Sequence, residues 1–219
     1  DVGLPDSAPI SFTGGSPWGE GWTALAVAPS GKFAVYVAAR GSGTELWYRS
    51  LVDTVARPIA GTAGAYNPML SPDATQVAYF SGKRLMISPT AGGNPVVVAE
   101  VDRPKGGEWI HAERILVADS NGRLLRGFDP AARTSRVLAR GTCSLPHALP
   151  SGDVVCSSRT AFSRSTRQTS DTAARAFLSG RPDANTAADR LIGSDFRLVD
   201  PSRLVFMGVD GSISAATVD

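Results

Sequence analysis

The chemistry open to this chain rests on very few side chains. His111 and His147 are its two histidines, so a base near neutral pH would have to be one of them. Acyl transfer would also need an activated nucleophile, and no Gly-x-Ser-x-Gly elbow is present. His111 falls in a turn and His147 in a short apolar strand, so a structural or surface role is the simpler reading of each. A metal centre would draw on Cys143, His147 and Cys156, but three ligands without a fourth make a poor zinc site. The same two cysteines leave a disulfide and a pair of buried thiols both open. If residues 150–153 close a simple hairpin, His147 faces Cys156 and Cys143 falls opposite Thr160, which disfavours a regular cross-strand bridge. A bend before Leu145 would still bring the sulfurs together. Asp119-Ser-Asn-Gly122 starts like a calcium loop without its downstream Glu and reads as a hairpin turn. Gly41-Ser-Gly43 lacks the further Gly and Lys of a phosphate loop. No catalytic, cofactor-binding or metal-ligating residue is assigned.

The elements that would position such groups are strands in a repeat. Five segments, at 25–37, 69–80, 109–118, 147–156 and 197–207, share one pattern: an apolar strand, a turn, then a strongly β-prone apolar strand. The turns sit at Pro29, Pro72, Ala112, Pro150 and Pro201, spaced by 43, 40, 38 and 51 residues. A third strand follows at 45–49, 84–88, 123–128, 174–178 and 212–217, introduced by Gly41-Ser-Gly43, Ser81-Gly82, Asn121-Gly122 and Asp210-Gly211 where the turn is clear. A fourth follows at 56–59, 95–99, 135–138 and 188–192. A period near 40 built from four short strands predicts an all-β chain, a β-propeller of four-stranded blades. The blades fall at about 22–60, 66–100, 107–140, 143–192 and 195–219 of one domain spanning 1–219. The last repeat stops after its third strand, while residues 8–13 form a spare one. Five blades closed by that N-terminal strand is the expected architecture; a truncated six-bladed ring is the alternative.

Bulk composition agrees and narrows the partners. Of 219 residues, 42% are hydrophobic and 19% charged, which suits a packed core. The 23 Gly and 15 Pro are scattered between apolar runs, as many tight turns require. A net charge of +2 offers no concentrated basic face for nucleic acid. No apolar run approaches the roughly 20 residues of a membrane span. The chain begins at Asp1 without a visible leader and is read as a processed chain or a piece of a longer one. Binding then falls to aromatics and arginines. Trp18 and Trp22 lie in a Gly-rich connector, where they cover the first blade or form an apolar contact patch. Arg159, Arg164 and Arg167 lie in the irregular, polar stretch 157–189, either a solvated loop or a docking surface for an acidic partner or lipid headgroups. Trp47 and Tyr48 adjoin in one strand, so one faces a neighbouring blade and the other points away. Trp109 is expected in the core.

At Ala28-Pro-Ser-Gly-Lys-Phe-Ala-Val-Tyr36 and Ser71-Pro-Asp-Ala-Thr-Gln-Val-Ala-Tyr79 the chain resembles the WD-like repeats of TolB-type propellers, which carry a Ser-Pro-Asp-Gly turn. That turn is complete nowhere here. Glu45-Leu-Trp-Tyr-Arg-Ser-Leu51, Ala60-Gly-Thr-Ala-Gly-Ala-Tyr66 and Ala91-Gly-Gly-Asn-Pro-Val96 are similar to the C-terminal sensor propellers of bacterial serine/threonine kinases, although no kinase motif is present. The resemblance implies an interaction module at the periplasmic or extracellular face of the membrane and not a kinase, and the lack of a catalytic set makes a non-enzymatic role the expectation. It would be an accessory or scaffold subunit with protein partners in a membrane-associated bacterial complex. Alternatives are the ligand-sensing ectodomain of a receptor kinase and an enzyme with a channel-centred site, for which the inner strands supply little beyond His147 and Asp200.

Overall fold

The computed structural model describes residues 4–11, 23–141, 143–148, 154–157, 162–165, 175–176, 196–200, 203–207 and 213–217. Among them every regular element is a β-strand, and five antiparallel meanders follow one another along the chain. The first sheet orders β1 (Leu25–Val27), β2 (Phe33–Arg40), β3 (Gly43–Ser50) and β4 (Ala56–Pro58). The second orders β5 (Ala65–Leu70), β6 (Gln76–Ser81), β7 (Arg84–Pro89) and β8 (Val96–Glu100). The third comprises β9 (Gly107–His111), β10 (Arg114–Asp119), β11 (Leu124–Asp129) and β12 (Thr134–Arg140). The fourth comprises β13 (Ser144–Ala148), β14 (Val154–Ser157), β15 (Phe162–Ser165) and β16 (Arg175–Ala176). The fifth has three strands, β17 (Phe196–Asp200), β18 (Arg203–Met207) and β19 (Ile213–Thr217). Packing divides the chain into two compact units, one of Asp1–Arg103, Trp109–Ile115 and Phe128–Ser135, the other of Pro104–Glu108, Leu116–Gly127 and Arg136–Asp219.

Strand β2 shows why the apolar runs are continuous rather than alternating. Val35 and Val37 face one side and Tyr36 and Ala38 the other, and all four are buried. A sheet covered on both faces needs apolar residues at every position. Val35, Val37, Leu46 and Ile59 of the first sheet pack against Ala65, Val77 and Tyr79 of the second. On the opposite face Tyr36 and Ala38 pack with Ala8 and Trp47, while Tyr48 stacks on Phe33 at 4.8 Å on the side of the second sheet. Trp47 and Tyr48 thus point to opposite faces, as their adjacency requires.

Two expectations meet a different arrangement. Residues 8–13 were expected as an outer strand of the last blade, but Ile10 bridges Ala38 of β2, with Ser11 N donating to Val37 O and Ala39 N to Pro9 O. The short β1 covers only the first half of β2, so the N-terminal segment continues its line and buries Ala8. Tyr36 Oη donates to Ala8 O at 3.0 Å and fixes it there. In the fourth sheet the third strand is β15, inside the stretch read as irregular, and the strand expected at 174–178 is the outer β16. Of β15, Phe162-Ser-Arg-Ser165, only Phe162 is apolar, which hid it from an apolar-run reading. The strand expected at 188–192 lies outside the described residues.

The turns follow the repeat closely. Ala28 N donates to Phe33 O and Gly31 N to Ala28 O; one repeat later, Ser71 N donates to Gln76 O and Ala74 N to Ser71 O. Gly31 has φ +66°, and Ala74, where the motif would carry Gly, has φ +57°. The turn therefore keeps its shape and Ala74 bears the strain, about 1–2 kcal/mol for an L-residue in the left-handed region. Ala74→Gly should stabilise the chain by about 0.5–1 kcal/mol after the entropy cost of glycine, read as a raised denaturant midpoint with unchanged m-value. A midpoint that falls would mean the turn does not hold this conformation in solution.

Burial pushes the Tyr66 and Tyr79 phenols up to about 12 and raises Tyr36 as well, Arg49 partly offsetting the latter. An unfolded tyrosine ionises at about pH 10. The folded state thus holds these protons more tightly, and the stability this contributes is full below about pH 10 and lost on rising towards 12. Absorbance titration should show these phenols ionising late and together with unfolding. Ionisation of all the tyrosines near pH 10 in the native state would contradict their burial.

Candidate functional site

The most elaborately built surface feature is the β3–β4 connection, residues 51–55. Arg49 is the penultimate residue of β3 and is only 8% exposed. Its Nη1 donates to Ser50 O at 2.6 Å and Asp53 O at 2.7 Å, with Val55 O at 3.4 Å. Buried polar groups need partners, and a charged donor forms the stronger bonds. Here the loop carbonyls serve as those partners, so the guanidinium cannot relax without the loop opening. Around it, Ser50 N donates to Val55 O, Leu51 N to Lys32 O, and Val55 N to Asp53 Oδ1 at 2.8 Å. Ser50 Oγ accepts from Val52 N and Asp53 N. The bond from Val55 N, then that from Ser50, hold the Asp53 carboxyl below its ordinary range, so the tip carries a negative charge at neutral pH. The braced loop presents Val52 at 72% and Val55 at 50% exposure. Beside it Arg57 lies over the Tyr48 ring, 4.6 Å from the centroid, and donates to Thr90 O, in the turn after β7, at 3.0 Å.

A second polar cluster lies on inner strands. Glu108 Oε1 is 2.7 Å from His147 Nδ1, and Glu108 Oε2 accepts from Ala148 N at 2.6 Å. One carboxylate thereby occupies the open edge of β13. A carboxylate-oriented imidazole is half of an acid–base pair, but its geometry is that of a clamp between strands. Among the described residues no group of three His, Cys, Asp or Glu could hold a metal ion. Asp119 is likewise committed: it accepts from Arg126 Nη1 at 2.7 Å and from Ser120 N at 2.8 Å, and its turn is the expected hairpin, with Asn121 and Gly122 at positive φ. His111 ends β9 exposed, its carbonyl accepting from Trp109 Nε1 at 2.8 Å, and Trp109 is buried.

Cys143 and Cys156 form a disulfide, Cα–Cα 4.9 Å. The simple register would have separated them. Leu145, at φ +44° before Pro146, makes a bulge instead: Ser144 pairs with Ser157 and His147 with Val155, not Cys156. Proline cannot donate to the ladder, so a bulge is its natural place in a sheet. Cys143 N is anchored on Gly122 O at 2.7 Å, and a Cβ on Gly122 would meet Cys143 O, which requires glycine there.

Of the binding residues expected from the sequence, Trp18, Trp22, Arg159 and Arg167 lie outside the described residues. Arg164 pairs with Val155 and Arg175 in the backbone of β15. The Arg49 loop was missed. Its signal is the pairing of a β-strand arginine with a following Ser50-Leu-Val-Asp-Thr-Val55 turn, which composition alone does not separate from an ordinary connector.

Four four-stranded meanders and a three-stranded one follow in sequence, the first two covering each other by apolar faces, and with the likenesses that follow they define the class: the fold is a β-propeller of the TolB-type, WD-like kind. The chain is similar to a TolB protein from Agrobacterium tumefaciens, 14% identical over 90% of this chain and 82% of that one, with a TM-score of 0.62. It is also similar to a chain of a nidogen/laminin complex, 14% identical over 89% and 74%, TM-score 0.67. A third likeness is the Cps50 (Swd1) β-propeller domain of Myceliophteria thermophila, 14% identical over 95% and 66%, TM-score 0.62. No family model matches the chain, and no curated protein matches it by sequence.

Arg49→Ala should free the 51–55 loop while leaving the sheet intact. Amide exchange at Val52, Asp53 and Val55 should accelerate, with a stability loss of about 1–3 kcal/mol from the unpaired loop carbonyls. Unchanged exchange at those three amides would show that the arginine does not brace the loop.

Proposed function

We propose that this chain is a non-enzymatic protein-interaction propeller, an accessory or scaffold subunit of an extracytoplasmic, membrane-associated bacterial assembly. The observation that carries the reading is the 51–55 loop. A buried arginine is spent on holding it, and the valines it displays leave half or more of their surface exposed. Rigid display of an apolar tip lowers the entropy cost of binding, which is how small anchor residues become energetically dominant at interfaces. The disulfide supports an oxidising compartment. The likenesses to a TolB protein and to a chain in a nidogen/laminin complex agree with a surface that docks on proteins. Among the described residues no helix is long and apolar enough to cross a membrane; membrane association is proposed to come through the partner assembly. Trp18, Trp22, Arg159, Arg164 and Arg167 are proposed as partner-binding residues on their residue types and sequence setting alone.

The test is native co-purification from membranes at low detergent, with mass spectrometry of the recovered proteins. Wild type should bring down a fixed set of partners. The double variant Val52→Asp with Val55→Asp should lose at least about tenfold of that recovery at an unchanged melting temperature, since a buried valine anchor is worth about 1.5–3 kcal/mol. Recovery of the wild type only as a free monomer would overturn the subunit reading.

A further inference from the structure

The last strand of a meander carries a row of backbone N–H and C=O groups with no neighbour, and such an edge is either blunted or used. Among the described residues the four-stranded sheets end in this way on β4, β8, β12 and β16. Strand β4 has three residues and closes on Pro58, and β16 has two. Strand β8 shifts register opposite Leu85 and Met86, and a bulge turns an edge aside. Strand β12, Thr134–Arg140, is the longest of the four at seven residues. It is held from the inside. A Cβ on Gly127 of β11 would stand 3.2 Å from Leu138 Cδ1, and Gly141 N donates to Arg123 O at 3.0 Å. Arg136, Val137 and Arg140 are exposed.

The charge on this edge has one sign. Arg136 and Arg140 enter no ion pair or side-chain hydrogen bond among the described residues, and Arg123, beside the end of the strand, is exposed as well. Residues 130–170 hold six arginines and one acidic residue, Asp153, in a chain whose net charge is only +2. The positive excess is gathered here and the rest of the chain is net acidic. Guanidinium groups recognise carboxylates through paired donors. Four steps of extended strand separate Arg136 from Arg140, about 13 Å. A chain pairing along the edge brings its own residues, four apart, to those two positions.

We propose that the open edge of β12 takes up an extended acidic segment of a partner protein as a fifth strand of the third sheet, with carboxylates four residues apart opposite Arg136 and Arg140. Backbone hydrogen bonds supply the affinity, and the two ion pairs set register and sign. The same arginines repel a second copy of this basic strand, so the edge selects a partner instead of joining its own kind. A lipid or nucleic-acid surface would neutralise the arginines without completing the ladder. The proposal does not rest on the 51–55 loop.

The probe is a capped, fluorescent peptide, Thr-Glu-Val-Thr-Val-Glu-Thr, titrated against the full chain by anisotropy. Binding should saturate, weaken as salt rises, and slow amide exchange within β12. Arg136→Glu with Arg140→Glu should bind about tenfold more weakly, and should prefer the peptide with Lys in place of both Glu. A peptide N-methylated at its three central residues should not bind, because it keeps the charges and loses the ladder. Equal binding of the N-methylated peptide, undiminished binding by the charge-reversed chain, or no saturable binding of the parent peptide would each overturn the proposal. Anionic phospholipid vesicles that bind the chain where the peptide does not would assign the arginines to a membrane, and overturn it too. Should the charge-reversed chain fail to fold, Arg136→Gln with Arg140→Gln takes its place. Val52→Asp with Val55→Asp should leave peptide binding unchanged, so this surface and the loop are tested separately.

Discussion

The apolar seal between the first two sheets is the constraint on which the rest of that unit depends. A four-stranded meander has two faces and cannot bury either alone. Val35, Val37, Leu46 and Ile59 solve this by packing on Ala65, Val77 and Tyr79, each almost wholly inaccessible to water. Such side chains contribute about 1.5–3 kcal/mol apiece when fully buried, which outweighs any single polar contact in the region. The seal is non-directional, however, and would tolerate sliding. Register comes from polar ties along its edge: Thr44 Oγ1 donates to Ala65 O at 2.7 Å, Leu46 N to Thr62 Oγ1 at 2.9 Å, and Gly64 N to Thr44 O at 2.7 Å. Area supplies the stability and three hydrogen bonds supply the position.

Departures from regular pairing then take on meaning. Asn67–Pro68 and Leu145–Pro146 are bulges at corresponding steps of β5 and β13, each at a proline that cannot donate to the ladder. In one the same bend brings Cys143 to Cys156. Ala74 holds the conformation of the missing glycine because Asp73 locks the turn, accepting from Ser71 Oγ at 2.6 Å and Thr75 N at 3.1 Å. These bonds hold the Asp73 carboxyl below its ordinary range, the Ser71 hydroxyl contributing most.

What the sequence made legible follows from which signals are periodic. Apolar runs such as Phe33–Arg40 and Gln76–Ser81 repeat at a near-constant interval, and burial on both faces leaves them unbroken, so the sheets could be placed from residue types alone. The strand Phe162–Ser165 could not, since its pairing is satisfied by backbone hydrogen bonds that any residue can make. Nor could the pairing of Ile10 with Ala38, because β-strand sequence does not encode which open edge it will join. The disulfide turned on register, Ser144 lying opposite Ser157 instead of Arg159, and the bulge that contributes to the shift is announced only by Pro146. The candidate site was least legible. The Arg49 brace depends on a side chain curling back onto carbonyls one to six residues ahead, a geometry with no period to detect.

On the proposed interaction reading, that brace is what would carry specificity for a partner. A sealed sheet holds the base of β3 fixed, and Arg49 carries that rigidity out to the carbonyl of Asp53. Burying a cation is costly unless its donors are met, so the loop and the guanidinium stabilise each other, and neither has a cheap alternative state. A partner meeting Val52 and Val55 therefore pays little to order them. The charge of Asp53 at the same tip penalises pockets that present a carboxylate and favours those rimmed by cations. Apolar contact would supply the affinity and the single anion the discrimination, with both set by an arginine that the partner never touches.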